Sequence, residues 1–148
     1  MKPDTIIADA SVLIAAARPR EPGNGPARKL LNGCFADGVQ LMEPAVVVPE
    51  VLGALSRTGS PPRVVRQIMA GYQHRSGFGT LPLDVRQAGS AGEIALLQRL
   101  KGCDAIYLAL ARELGLPLVT LDREQRERAP EDVEVLTPEE ALAEWFPA

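Results

Sequence analysis

Apolar residues recur along this chain with two alternating periods, short runs of period two and longer stretches of period 3.6, so strands and helices follow one another. Residues 5–8 predict a first strand that ends at Asp9, and residues 11–17 a short apolar helix closed by Arg18, Pro19 and Arg20. Residues 21–26 (EPGNGP) are dense in turn formers and predict a loop. Residues 27–36 resume as a helix with Leu30, Leu31 and Phe35 inward, and residues 39–42 predict a second strand. A helix is expected over residues 44–57, with Pro49 either kinking it or marking its first full turn. Val64, Val65, Ile68, Met69 and Tyr72 then form the apolar stripe of an amphipathic helix. Residues 76–83 contain glycines and a proline, so any strand there lies at an edge. Asp84 caps a helix running to about Leu100, weakened by Gly89 and Gly92.

The stretch 102–122 (GCDAIYLALARELGLPLVTLD) organises the rest. Its helix is apolar nearly all round, with Ile106, Leu110 and Leu114 at helical spacing, and Gly115 and Pro117 stop it. Residues 118–121 follow as a buried parallel strand ending at Asp122. A last strand over 133–136 leads into a capping box, Thr137 to Glu140, and a helix carrying Leu142, Trp145 and Phe146. Strand and helix in alternation predict a three-layer α/β/α sandwich around a parallel sheet of about four to five strands. Residues 1–148 are expected to form a single domain.

Composition narrows the function. With 46% hydrophobic and 24% charged residues the chain is ordinary for a globular protein. Aromatics are only 4%, too few for a base-stacking platform, and the formal net charge of −3 gives no overall basic field. Cys34 and Cys103 have neither metal-ligand spacing nor the look of a disulfide framework. No run is long and apolar enough for a membrane span, and the start MKPDTIIAD lacks a signal-peptide layout, so a cytoplasmic protein with no membrane partner is expected.

Four acids stand out by position. Asp9 ends the first strand, Asp122 ends the strand after the long apolar helix, Asp104 opens that helix, and Glu50 lies early in the helix after the second strand. In a parallel sheet the ends of strands and the starts of helices share one rim, where α/β proteins place their sites. Asp9, Asp104 and Asp122 also suit helix capping, and Glu50 suits a solvent-facing turn. Clustered carboxylates need a counter-charge, and an oxygen-only set favours Mg²⁺ or Mn²⁺ over zinc. Ser11 and Thr120, each two residues from one of the acids, are candidates to hold a metal-bound water or a phosphate oxygen, or simply to cap and to favour a strand. His74, the one histidine, follows an amphipathic helix and is read as a surface residue.

DASVLIA around Asp9, PEVLGAL around Glu50, CDAIYLALA around Asp104 and LVTLD ending at Asp122 resemble, in order and flanks, the acidic motifs of the PIN-domain family. Length and order are most similar to the VapC-type toxins of toxin–antitoxin pairs. The resemblance implies a metal-dependent endoribonuclease whose catalytic and metal-binding acids are Asp9, Glu50, Asp104 and Asp122. It also implies a homodimer and a cognate antitoxin. Gln125 stands where relatives often carry an aromatic residue, and Pro49 directly precedes Glu50. An RNA substrate needs local cations: Arg18 and Arg20 follow the Asp9 helix, Arg99 and Lys101 precede Asp104 and Arg123 follows Asp122, and Arg18, Arg20 and Arg123 are preferred for the rim they share with the acids. The competing expectation is a PIN-like module that binds RNA or protein without cutting. A phosphohydrolase using Asp9 as nucleophile fits poorly, because Ser11 stands where such enzymes place a second aspartate.

Overall fold

The computed structural model describes residues 1–148 as an α/β/α sandwich. Five strands, β1 (Thr5–Ala8), β2 (Gln40–Pro44), β3 (Phe78–Leu81), β4 (Leu118–Val119) and β5 (Val135–Leu136), form one sheet in the order β3-β2-β1-β4-β5. Every pairing is parallel. Eight helices connect or flank them: α1 (Ala10–Ala17), α2 (Asn24–Ala36), α3 (Val47–Arg57), α4 (Pro62–Gln73), α5 (Val85–Gln98), α6 (Gly102–Leu114), α7 (Arg123–Glu127) and α8 (Pro138–Trp145). No helix is long and apolar enough to cross a membrane.

Ile6, Ile7 and Ala8 of the central strand are fully buried, as expected of a parallel strand covered on both faces. With Leu41, Leu118 and Val119 they join Leu13, Leu30, Val51, Tyr107 and Leu108 in one continuous core. The chain leaves β1 toward β2 on one side, and later reaches β4 on the other. The sheet order therefore reverses between β1 and β4, which opens a crevice at their carboxyl ends. Ile7 pairs with Leu118 and Ala8 with Val119, so Asp9 and Thr120 leave the sheet side by side.

Several elements differ from the sequence expectation. Pro44 belongs to β2 rather than to the following helix, because strand pairing continues to Leu81 and the Ala45 N–H donates to the Leu81 carbonyl. Pro49 consequently falls in the first turn of α3, where a missing N–H costs no helical bond and no kink is needed. The expected loop over 21–26 is cut short: α2 begins at Asn24, whose side chain donates to the carbonyls of Ala15 and Ala16 and closes α1. A polar helix, α7, follows Asp122 where apolar periodicity gave no signal. Gly89 and Gly92 sit on the outer side of α5, where a Cβ would meet nothing.

Leu13 and Ala15 of α1 and Ala27, Leu30 and Leu31 of α2 are core residues. Leu114 is exposed instead of buried. Apart from Met1, the most exposed large apolar side chains lie on α5, with Val85 91% and Leu96 and Leu97 each 71% accessible.

Candidate active site

Asp9, Glu50, Asp104 and Asp122 line one cleft of about 640 Å³ at the carboxyl end of the sheet. Each arrives on a different element. Asp9 follows β1 and caps α1, its Oδ2 accepting from the Ser11 N–H at 2.9 Å. Asp122 leaves the β4 segment and caps α7, its Oδ1 accepting from the Gln125 N–H at 3.0 Å. Capping and cleft-lining are therefore not rivals for these two residues. Asp104 lies in the first turn of α6, whose N-terminal cap is Lys101, so it lines the cleft without capping. Glu50 occupies the first turn of α3 and faces the cleft together with Ala54 and Arg57, one and two turns further along the same side.

Ser11 and Thr120 lie beside Asp9 and Asp122, with their hydroxyls bound to backbone amides. The Ser11 hydroxyl accepts from the Leu121 N–H at 3.1 Å, and Thr120 Oγ1 accepts from the Asp122 N–H at 3.0 Å. The two hydroxyl oxygens lie 3.4 Å apart. They tie the end of β4 to the start of α1, and so fix the separation of Asp9 and Asp122. Ser11 also lines the cleft, whereas Thr120 is buried.

Three further residues belong to the site. Glu43, at the end of β2, is fully buried behind Asp9, and its Oε1 accepts from the Ala8 N–H at 2.7 Å while Oε2 has no partner. Gln125 of α7 is also fully buried, and its Nε2 donates to the Asp104 carbonyl at 3.1 Å and to Asp9 Oδ1 at 3.4 Å. Tyr107, one turn beyond Asp104, places its hydroxyl near Glu50 without reaching hydrogen-bond geometry. Glu43 Oε2, Glu50 Oε1, Tyr107 Oη and Gln125 Oε1 are all buried and unpartnered, and all four belong to this one region. Buried polar atoms are ordinarily paired, so four of them together mark a polar site rather than a purely structural crevice.

Burial and mutual repulsion push the acids toward their neutral forms. Asp104 is raised to about 6, by burial first and then by the charges of Asp122, Asp9 and Glu50, with Lys101 pulling the other way. Burial also raises Asp9, against the hydrogen bonds from Ser11 and Gln125, and the charge of Asp122 adds to the rise. Glu50 is raised by burial, partly offset by the Tyr107 hydroxyl, with Asp9 adding to it. Glu43, sealed in the core, is held well above the ordinary carboxylate range.

Two cations stand at the cleft wall, Arg57 at the end of α3 and Lys101 before α6. Among the chain's ion pairs neither has an acidic partner. The three arginines singled out in the sequence are not part of the cleft lining. Arg18 pairs with Glu21, Arg123 with Glu127, and Arg20 is exposed in the turn before α2.

The donor set is the kind a hard divalent cation takes: carboxylate oxygens only, one of them, Glu50 Oε1, buried without a partner. No group of three acids converges closely enough to hold an ion by protein side chains alone. Mg²⁺ is ordinarily held by one or two carboxylates, with waters and substrate oxygens completing its shell, so pairs of acids across an open cleft fit it.

The family model for the PIN domain matches residues 6–130. The chain belongs to the PIN domain family. The matched region contains all four cleft acids, Glu43 and Gln125. No curated protein matches the sequence. Among solved structures, the Mycobacterium tuberculosis toxin VapC20, described as cleaving the sarcin–ricin loop, is 18% identical with a TM-score of 0.70, covering 87% of this chain and 98% of its own. The DNA-bound VapBC of Salmonella typhimurium is 19% identical with a TM-score of 0.67, covering 93% and 99%. PAE2754 of Pyrobaculum aerophilum is 20% identical with a TM-score of 0.66, covering 97% and 90%. At these identities the likeness is one of fold.

Proposed function

We propose that this PIN-domain protein is a metal-dependent endoribonuclease and the toxin of a toxin–antitoxin pair. The observation that carries the reading is the convergence of Asp9, Glu50, Asp104 and Asp122, from four separate segments, on one cleft edged by the uncompensated cations Arg57 and Lys101. Mg²⁺ or Mn²⁺ bound there would supply an acidified water and neutralise charge on the phosphate. Asp9, Asp104 and Asp122, with Glu50 directly or through water, are the residues proposed to hold it. Arg57 and Lys101 would seat the phosphates flanking the scissile bond, with Arg18, Arg20 and Arg123 meeting RNA only where it extends beyond the cleft. A water nucleophile leaves 5′-phosphate and 3′-hydroxyl ends.

The substrate assignment to RNA is supported by the PIN family and by the described activity of VapC20. An antitoxin partner is supported by neighbours such as the VapBC complex. For a homodimer, the apolar surface available is the one formed by Val85, Leu96 and Leu97 around α5. The test is single-turnover incubation of the free protein with a broad RNA pool after chelation, with and without added Mn²⁺. Internal cleavage that returns with Mn²⁺ is expected. Intact RNA under all conditions, with retained binding, would instead favour a non-catalytic module.

A further inference from the structure

Gln125 touches all three aspartates of the cleft. Its backbone N–H donates to Asp122 Oδ1 at 3.0 Å, and its side-chain Nε2 donates to the Asp104 carbonyl at 3.1 Å and to Asp9 Oδ1 at 3.4 Å. The amide orientation is fixed by chemistry, since both side-chain partners are acceptors and the opposite orientation would set Oε1 against a carboxylate and a carbonyl. Oε1 is left buried and unpartnered as a result. A residue serving only to fill the space under α7 would be better apolar. Gln125 instead accepts an unsatisfied oxygen in order to direct two N–H bonds at the acidic site.

We propose that Gln125 is a positioning residue that sets the spacing of Asp9, Asp104 and Asp122 for divalent-cation binding. It cross-links the end of β1, the first turn of α6 and the start of α7, three elements that no other side chain joins by hydrogen bonds. Its bond to Asp9 Oδ1 complements the Ser11 N–H on Oδ2, so both oxygens of that carboxylate are oriented from the protein side. Partners of this kind, which orient a ligand without touching the ion, typically change metal affinity 10- to 100-fold when removed. The proposal rests on the reading of the cleft as a cation site.

The test is Gln125→Met, which keeps chain length and apolar packing but removes the donor. Isothermal titration of native protein and variant with Mn²⁺ alone should show binding in both, weaker by roughly 10- to 100-fold in the variant. Equal Mn²⁺ affinity in the variant would overturn the positioning role alone, and no Mn²⁺ binding by the native protein would overturn the cation reading with it. Should the variant not fold, the native Gln125 side-chain amide resonances give the answer: they should move on Mg²⁺ addition with the midpoint of metal binding, and immobile resonances would refute the role.

Discussion

The Ala8 N–H donates to Glu43 Oε1 at 2.7 Å, so the last peptide of β1 before Asp9 is bonded to a fully buried carboxyl on the neighbouring strand. A charged group here would face Asp9 across a dry interior. Burial, with the charge of Asp9 adding to it, holds the Glu43 carboxyl well above the ordinary carboxylate range.

This relationship gives the fold a pH dependence of unusual sign. A carboxyl whose folded pKa exceeds its unfolded value takes up a proton on folding, so stability falls as pH rises from the unfolded value through the folded one. For Asp104 that window runs from 3.8 to about 6, and Glu43 extends it upward. Metal-free protein should melt at a higher temperature near roughly pH 5.5 than near pH 8. Glu43→Gln, which keeps the acceptor for the Ala8 N–H, should raise stability near pH 8 and flatten the profile. Calorimetric melting across pH in a chelator checks both, and a profile unchanged by the substitution would show that Glu43 is not the source.

The cleft acids should behave as one unit. Asp9→Ala, Asp104→Ala and Asp122→Ala should each lower the single-turnover rate by several orders of magnitude, and any double mutant should be little worse than its parents. Asp104→Asn should at the same time stabilise the metal-free fold, since it removes a repelled charge. Multiplicative losses in the double mutants would mean that the acids act separately.

Arg57 and Lys101 should contribute to binding rather than chemistry. Alanine at either position should weaken RNA affinity and reduce the slope of log affinity against log salt by about one. The rate of the bound complex should change little. Alanine at Arg18, Arg20 or Arg123 should have smaller effects on short RNA, because none of them lines the cleft. A fluorescence binding titration at several salt concentrations separates the two sets.

The exposed side of α5 makes the dimer testable. Leu96→Lys with Leu97→Lys should convert a sedimenting dimer to a monomer at roughly tens of micromolar. Identical sedimentation of native and variant protein would place any self-association elsewhere.

The meeting of the four acids in one cleft was legible in the chain because strand ends and helix starts are marked locally. Asp9 closes an apolar run, Asp122 closes another, and Asp104 opens the longest apolar helix, so their common rim follows from parallel topology alone. Glu43 escaped because Pro44 made the end of β2 look like the start of a helix. The signal was its two-residue alternation with buried Leu41. Arg57 lies seven residues beyond Glu50 on one helix face, a spacing that could have paired them. Gln125 had no such signal, since REQRE is polar throughout and that one residue is buried only where it meets Asp9 and Asp104. The cations Arg18, Arg20 and Arg123 drew attention through nearness in sequence, and nearness in sequence does not fix the direction of a long exposed side chain.

In the proposed reaction a divalent ion held by the cleft acids would acidify the water that attacks a phosphodiester. The chemistry of the new ends tests it most directly. RNA cut by the free protein in Mn²⁺ should carry 5′-phosphate and 3′-hydroxyl termini, and no cutting should occur in EDTA. Termini bearing 2′,3′-cyclic phosphate, or cleavage that persists in EDTA, would contradict it.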